Sequence, residues 1–99
     1  MYEDKFRRIA QELAKIFSDK QKIYGNAYFQ EPSEQARYYG GIYRKLYRLN
    51  HFMQDPKKHK SKCESIQETY KDLAIYSIMA LIYYQIPKPK KNGIFKKIR

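Results

Sequence analysis

The sequence predicts an all-α fold, a small bundle of three main helices. Three observations lead to it: apolar residues recur at spacings of three and four in three separate segments, no run alternates as a strand would, and turn or cap signals bound each segment. Ninety-nine residues and 12.0 kDa leave room for one domain. The spacing places a helical domain over residues 1–86 and a basic, Pro/Lys-rich tail over 87–99.

In the first segment Phe6, Ile9, Leu13, Ile16 and Phe17 form one apolar row, which predicts a helix from about Glu3 to about Lys22, stopped by Gly25-Asn26. Residues 25–35 then read as a connection. Ser33 is the expected N-cap of the second helix, with Glu34 in its first turn, where a carboxylate suits the helix dipole. Ile42, Leu46, Leu49 and Met53 supply the expected inward row of that helix. Tyr39, Tyr43 and Tyr47 make a second row, expected to pack rather than to stack on a ligand. Gly40-Gly41 interrupts this segment. Either the helix starts in earnest after Gly41, or the missing side chains admit a close neighbour.

Residues 55–62 read as an exposed lysine loop. Ser61 with Glu64 three residues later is a capping-box signature, and the third helix runs from there to about Ile86, where Pro87 stops it. Ile66, Leu73, Ala74, Ser77, Ala80, Leu81 and Tyr84 are its expected inward face. Its second half is apolar nearly all round, which one small chain cannot cover, so a homo-oligomer is expected. Tyr83 and Tyr84 are expected at a subunit or intrachain contact.

Composition narrows the partners. Lys+Arg 21 against Asp+Glu 10 gives a net charge of +11, pointing to a nucleotide, nucleic acid, acidic protein or other polyanion. One cysteine excludes an internal disulfide framework and fits a reducing, cytoplasmic setting. The longest apolar stretch, Leu73 to Tyr84, falls short of the ~20 residues a bilayer requires, so no membrane partner is expected. His51, His59 and Cys63 lack zinc-ligand spacing, and no glycine-rich phosphate loop or nucleophile elbow is present.

Two constellations carry chemistry. Glu64, Glu68 and Asp72 stand at i, i+4 and i+8 on one helix face. Their like charges need cations opposite, either lysines and arginines or a divalent ion such as Mg²⁺. Lys45 and Arg48, with Arg37 and Arg44 nearby, make the second helix basic, able to neutralise the acids or to reach a phosphate. Arginines beside tyrosines suit a ligand that offers both a phosphate and a base.

Residues 22–28 (Lys22-Ile23-Tyr24-Gly25-Asn26-Ala27-Tyr28), 42–49 (Ile42-Tyr43-Arg44-Lys45-Leu46-Tyr47-Arg48-Leu49) and 64–76 (Glu64-Ser65-Ile66 through Asp72-Leu73-Ala74-Ile75-Tyr76) together resemble the nucleotide modification associated domain one family. This is a small helical family of phages and bacteria, distantly similar to MazG-like all-α nucleotide pyrophosphohydrolases. The resemblance covers about residues 6–84. It implies a ligand-facing turn at Tyr24, Gly25 and Asn26, basic contacts at Lys45 and Arg48, to which this chain's own Arg44 is added, a further contact at Tyr76, and acidic positions Glu64, Glu68 and Asp72 as metal ligands if the chain is a hydrolase. The chain departs from the family pattern at three positions: Ile23 and Arg44 replace aspartates, and Ile75 replaces an asparagine. Fewer carboxylates and one more arginine favour binding a phosphate over hydrolysing it. The expected function is therefore nucleotide binding, in a phage setting the sequestration of a nucleotide signal that serves host defence. The alternatives are a Mg-dependent MazG-like pyrophosphohydrolase, or a basic inhibitor module that binds nucleic acid or an acidic protein through the lysine loop and tail.

Overall fold

A computed structural model describes residues 1–55 and 63–87, with side chains from Ile66 onward in the second range. Its helices are α1 (Tyr2–Tyr24), α2 (Ala27–Gln30), α3 (Glu34–Arg37), a π-helical segment (Tyr38–Ile42), α4 (Tyr43–Gln54) and α5 (Cys63–Gln85). The fold is all-α, with no strand among the described residues. The Ser61–Glu64 capping box and the tail beyond Pro87 lie outside the described residues.

Local chemistry sets the ends of the elements. Gly25, at φ 67°, closes α1 by donating its N–H to Gln21 O at 2.8 Å, a left-handed position that favours glycine. Within the stretch expected to be a plain connection, residues 27–30 wind into the single turn α2. Ser33 caps α3 as expected: its Oγ accepts from Ala36 N at 3.1 Å, and Glu34 lies in the first turn.

The helix does not restart after Gly41. It runs through Gly40-Gly41 as a π turn, in which Tyr43 N–H donates to Tyr38 O, five residues back. The reason for the glycine pair is divided between its members. A Cβ on Gly41 would stand 2.6 Å from Tyr76 Cδ1, whereas one on Gly40 would meet nothing within 4 Å. Gly41 therefore lets α5 bring an aromatic ring onto the helix backbone.

α5 is the central element, with α1, the π segment and α4 packed against it. The core comprises Leu13, Leu49, Phe52 and Ile75, and the apolar rows differ from those expected. Phe6 and Ile9 are exposed; the described contacts of α1 with α5 begin farther along, at Glu12, which pairs with Lys71, and at the buried Leu13. Of the expected α4 row Ile42, Leu46, Leu49 and Met53, Leu49 is buried and Ile42 half-buried, but Lys45 and Phe52 turn inward in place of Leu46 and Met53, which are exposed. The rotation that buries Leu49 and Phe52 also brings Lys45 to Asp72, its Nζ 3.1 Å from Oδ2. In α5 the deepest side chains are Thr69 and Ile75, while Leu81, Ile78 and Tyr84 are exposed.

Arg37 is not a surface base but a buried one, 7% exposed. Its guanidinium lies 3.4 Å from the Tyr83 ring centroid and 6.0 Å from that of Tyr28, and its Nη1 donates to Glu31 O at 2.7 Å. A desolvated cation over aromatic rings is worth about 2 kcal/mol, which helps a buried charge to be tolerated. Tyr84 Oη donates to Glu34 on the same side. Both tyrosines thus make intrachain contacts that hold α5 against α3.

The two glycines should respond in opposite directions. Gly41→Ala forces the Tyr76 ring aside and costs about 1–3 kcal/mol. Gly40→Ala enters open space in a helix and stabilises by about 0.5–1 kcal/mol. Urea unfolding of the two variants beside the wild type measures both.

Candidate functional site

The end of α1, the first residues of α2 and the middle of α5 enclose a cleft of about 360 Å³. That lies in the ~300–1,000 Å³ range of small-ligand sites. Four aromatic residues line it, Phe17, Tyr24, Tyr28 and Tyr76, with Phe29 packed behind. Phe17 meets Phe29 edge-on at 6.5 Å, Phe29 meets Tyr28 at 5.2 Å, and Tyr28 tilts against Tyr76 at 6.1 Å. Tyr76 in turn rests on Gly41, so the π turn positions one wall of the cleft. Met79 and Ile75 line the side toward the core, and Tyr24 and Gly25 form the rim where α1 stops.

At the polar end of the cleft is Asp72. Its Oδ1 lies 3.5 Å from Lys20 Nζ and its Oδ2 3.1 Å from Lys45 Nζ. Two ammonium groups from two helices share one carboxylate from a third, leaving one positive charge in excess. Lys20 is more than half exposed, and an ion pair so exposed is worth only about 0–1 kcal/mol. Lys20 can therefore exchange Asp72 for a phosphate at little cost, whereas the Lys45 pair is the less exposed of the two, at 26% and 25%.

The acidic ladder does not act as one cluster. Glu68 faces Lys71 at 3.6 Å, Lys71 also reaches Glu12 of α1 at 2.7 Å, and Asp72 faces its own two lysines. The side chain of Glu64 lies outside the described residues. Among the described residues no three His, Cys, Asp or Glu side chains converge as an ion site. Lysines beside both described carboxylates oppose a divalent cation by charge, so these residues do not fit Mg²⁺ as arranged.

The structure divides the residues singled out from sequence. Tyr24, Gly25, Asp72 and Tyr76 meet at the cleft, and Lys45 reaches its edge through Asp72. Asn26 is exposed and accepts from Gln21 Nε2 instead of lining the cleft. Arg44 and Arg48, again with Lys45, line a separate shallow groove on α4 with Tyr47 and His51. Sequence reasoning missed Phe17, Lys20, Tyr28 and Met79. Tyr28, an aromatic one turn beyond the Tyr24-Gly25 pair, carried a signal in that spacing. Lys20 carried no signal that set it apart from the other bases.

Burial pushes the Tyr28 hydroxyl above its ordinary value of 10.0, partly opposed by the charge and hydrogen bond of Arg37. Lys71 is also raised, chiefly by its hydrogen bond to Glu12.

No helix among the described residues is long and apolar enough to cross a membrane. The model of the nucleotide modification associated domain 1 family matches residues 20–84, and the chain belongs to that family. No curated protein and no solved structure matches the chain.

A consequence appears at alkaline pH. The folded state holds the Tyr28 and Lys71 protons where the unfolded chain releases them, so their stabilising contribution is complete below about pH 10 and is lost as pH rises further. Urea midpoints measured from neutral to strongly alkaline pH should fall above about pH 10. Tyr28→Phe removes the titrating hydroxyl, so its midpoint should fall less steeply at the alkaline end.

Proposed function

We propose that this member of the nucleotide modification associated domain 1 family binds a nucleotide in the α1–α2–α5 cleft and holds it unaltered. The base lies on the Tyr28 and Tyr76 rings, and the phosphate takes Lys20 and Lys45 beside Asp72. The observation that carries this reading is the pair of ammonium groups on one carboxylate, at the end of a cleft lined by four aromatic residues. Aromatic rings suit a planar base and the surplus cation suits a phosphate. Apolar side chains left exposed on α1 and α5 (Phe6, Ile9, Ile78 and Leu81) support assembly of copies in the same reading.

Asp72 separates holding from hydrolysis. In a binding site its carboxylate competes with the phosphate for the two lysines, so Asp72→Asn should leave nucleotide affinity unchanged or raise it. In a metal-dependent hydrolase the same change removes a ligand and abolishes turnover. Calorimetric titration with nucleoside mono-, di- and triphosphates and cyclic nucleotides, followed by chromatography of the recovered ligand, tests both. The expected result is binding of at least one of these, recovery without chemical change, and a loss of about tenfold or more in Lys20→Ala and Lys45→Ala, in line with one charged hydrogen bond each. Absence of binding across the panel contradicts the reading. So does Mg²⁺-dependent pyrophosphate release that disappears in Asp72→Asn.

A further inference from the structure

The outer face of the π segment and α4 carries a feature the cleft does not use. Tyr38, Tyr39, Tyr43 and Tyr47 form a continuous ladder of rings, with centroids 5.1 Å apart for Tyr38–Tyr39, 5.3 Å for Tyr39–Tyr43 and 6.4 Å for Tyr43–Tyr47. All four are exposed, from 39% at Tyr38 to 67% at Tyr47. The row expected to pack thus covers no core. Its members meet edge-on or tilted, at interplanar angles of 44° to 80°, so each edge-on contact covers one face of one ring and leaves its other face open.

Beside this ladder runs a row of bases. Arg44, Lys45, Arg48 and His51 line one open groove with Tyr47. Arg44 and Arg48 make no ion pair with any carboxylate among the described residues, and the Arg48 guanidinium lies 5.6 Å from the Phe52 ring centroid. Arg44 and Arg48 stand one turn apart, each next in sequence to a tyrosine of the ladder. A phosphate backbone that follows the arginines would lay its bases toward the rings.

From this juxtaposition we infer that the face formed by the π segment and α4 is a binding surface for single-stranded nucleic acid, with Tyr39, Tyr43 and Tyr47 stacking bases and Arg44 and Arg48 taking phosphates. Exposed aromatics along a basic groove are the chemistry by which proteins hold a single strand without reading its sequence. The spacing favours a single strand over a duplex. Tyrosines four residues apart on a helix repeat every ~6 Å, wider than the ~3.4 Å step of each strand in a duplex, and a duplex keeps its base faces stacked within. An acidic protein would satisfy the arginines but leave the ring faces unused.

The test uses the full chain and a fluorescently labelled single-stranded thymidine oligomer about ten nucleotides long, within the site sizes of single-strand binders. Binding is followed by anisotropy over a series of salt concentrations, with a duplex of equal length as competitor. The tyrosines are exposed, so their replacement by alanine should leave the fold intact, and circular dichroism checks that it does. Tyr43→Ala and Tyr47→Ala should each weaken binding about fivefold or more without altering its salt dependence. Arg44→Ala with Arg48→Ala should lower the slope of log affinity against log salt by about 1.4, two phosphates on a single strand. The duplex should compete poorly. Undiminished binding in the tyrosine variants would overturn the inference, since it leaves only charge, including that of the lysine loop and tail. Equal competition by the duplex, or no binding of the oligomer by the wild type, would overturn it as well.

Discussion

Asp72 holds two lysines from two different helices, and the arrangement of the cleft depends on that sharing. Lys20 comes from the last turns of α1 and Lys45 from the first turn of α4, while Asp72 sits midway along α5. These pairs contribute little to stability, because their members are partly solvated. Their effect is positional. They hold a lysine that faces inward where apolar spacing would put a leucine, and they concentrate excess positive charge at the polar end of the cleft. A bundle of the same helices with leucine at position 45 would pack more apolar surface but would lack that concentration of charge.

A second constraint joins the cleft to the helix that runs behind it. Tyr76 forms a wall because Gly41 has no Cβ, and Gly41 lies in a π turn, a feature often placed at functional sites. The same turn carries the first tyrosines of the exposed ladder. Lys45 belongs to both regions, paired with Asp72 on one side and lining the α4 groove on the other. The two surfaces therefore share a short stretch of backbone, residues 38–48, and a shift of the π turn would be felt in both.

Much of the fold was legible. Spacing gave the three main helices, and Gly25 and Ser33 marked a stop and a start, while the Gly40-Gly41 pair left a late helix start and a close approach both open for the structure to decide. The inward faces were less legible, because periodicity locates an apolar row without saying which neighbours cover it. Phe6 and Ile9 continue the α1 row beyond the point where a partner helix stands among the described residues. The α4 face includes a lysine, which no apolar pattern counts as inward. Of the candidate site, the Tyr-Gly turn, Asp72 and Tyr76 were readable from short motifs. The division of the basic residues between two surfaces was not: Arg44, Lys45 and Arg48 are neighbours in sequence, but the helix turns Lys45 toward α5 and leaves the arginines outside. The acidic ladder illustrates the same limit, since equal spacing on one face did not keep Glu68 and Asp72 from facing different lysines.

The most direct measurement follows individual side chains as a nucleotide is added. Magnetic resonance of the lysine ammonium groups and tyrosine rings, with a nucleoside monophosphate titrated into the full chain, reports phosphate and base separately. The account requires the Lys20 and Lys45 signals to move together with those of Tyr28 and Tyr76, all saturating over one concentration range. Movement confined to the α4 face, or an unchanged set of cleft signals at saturating ligand, would contradict it.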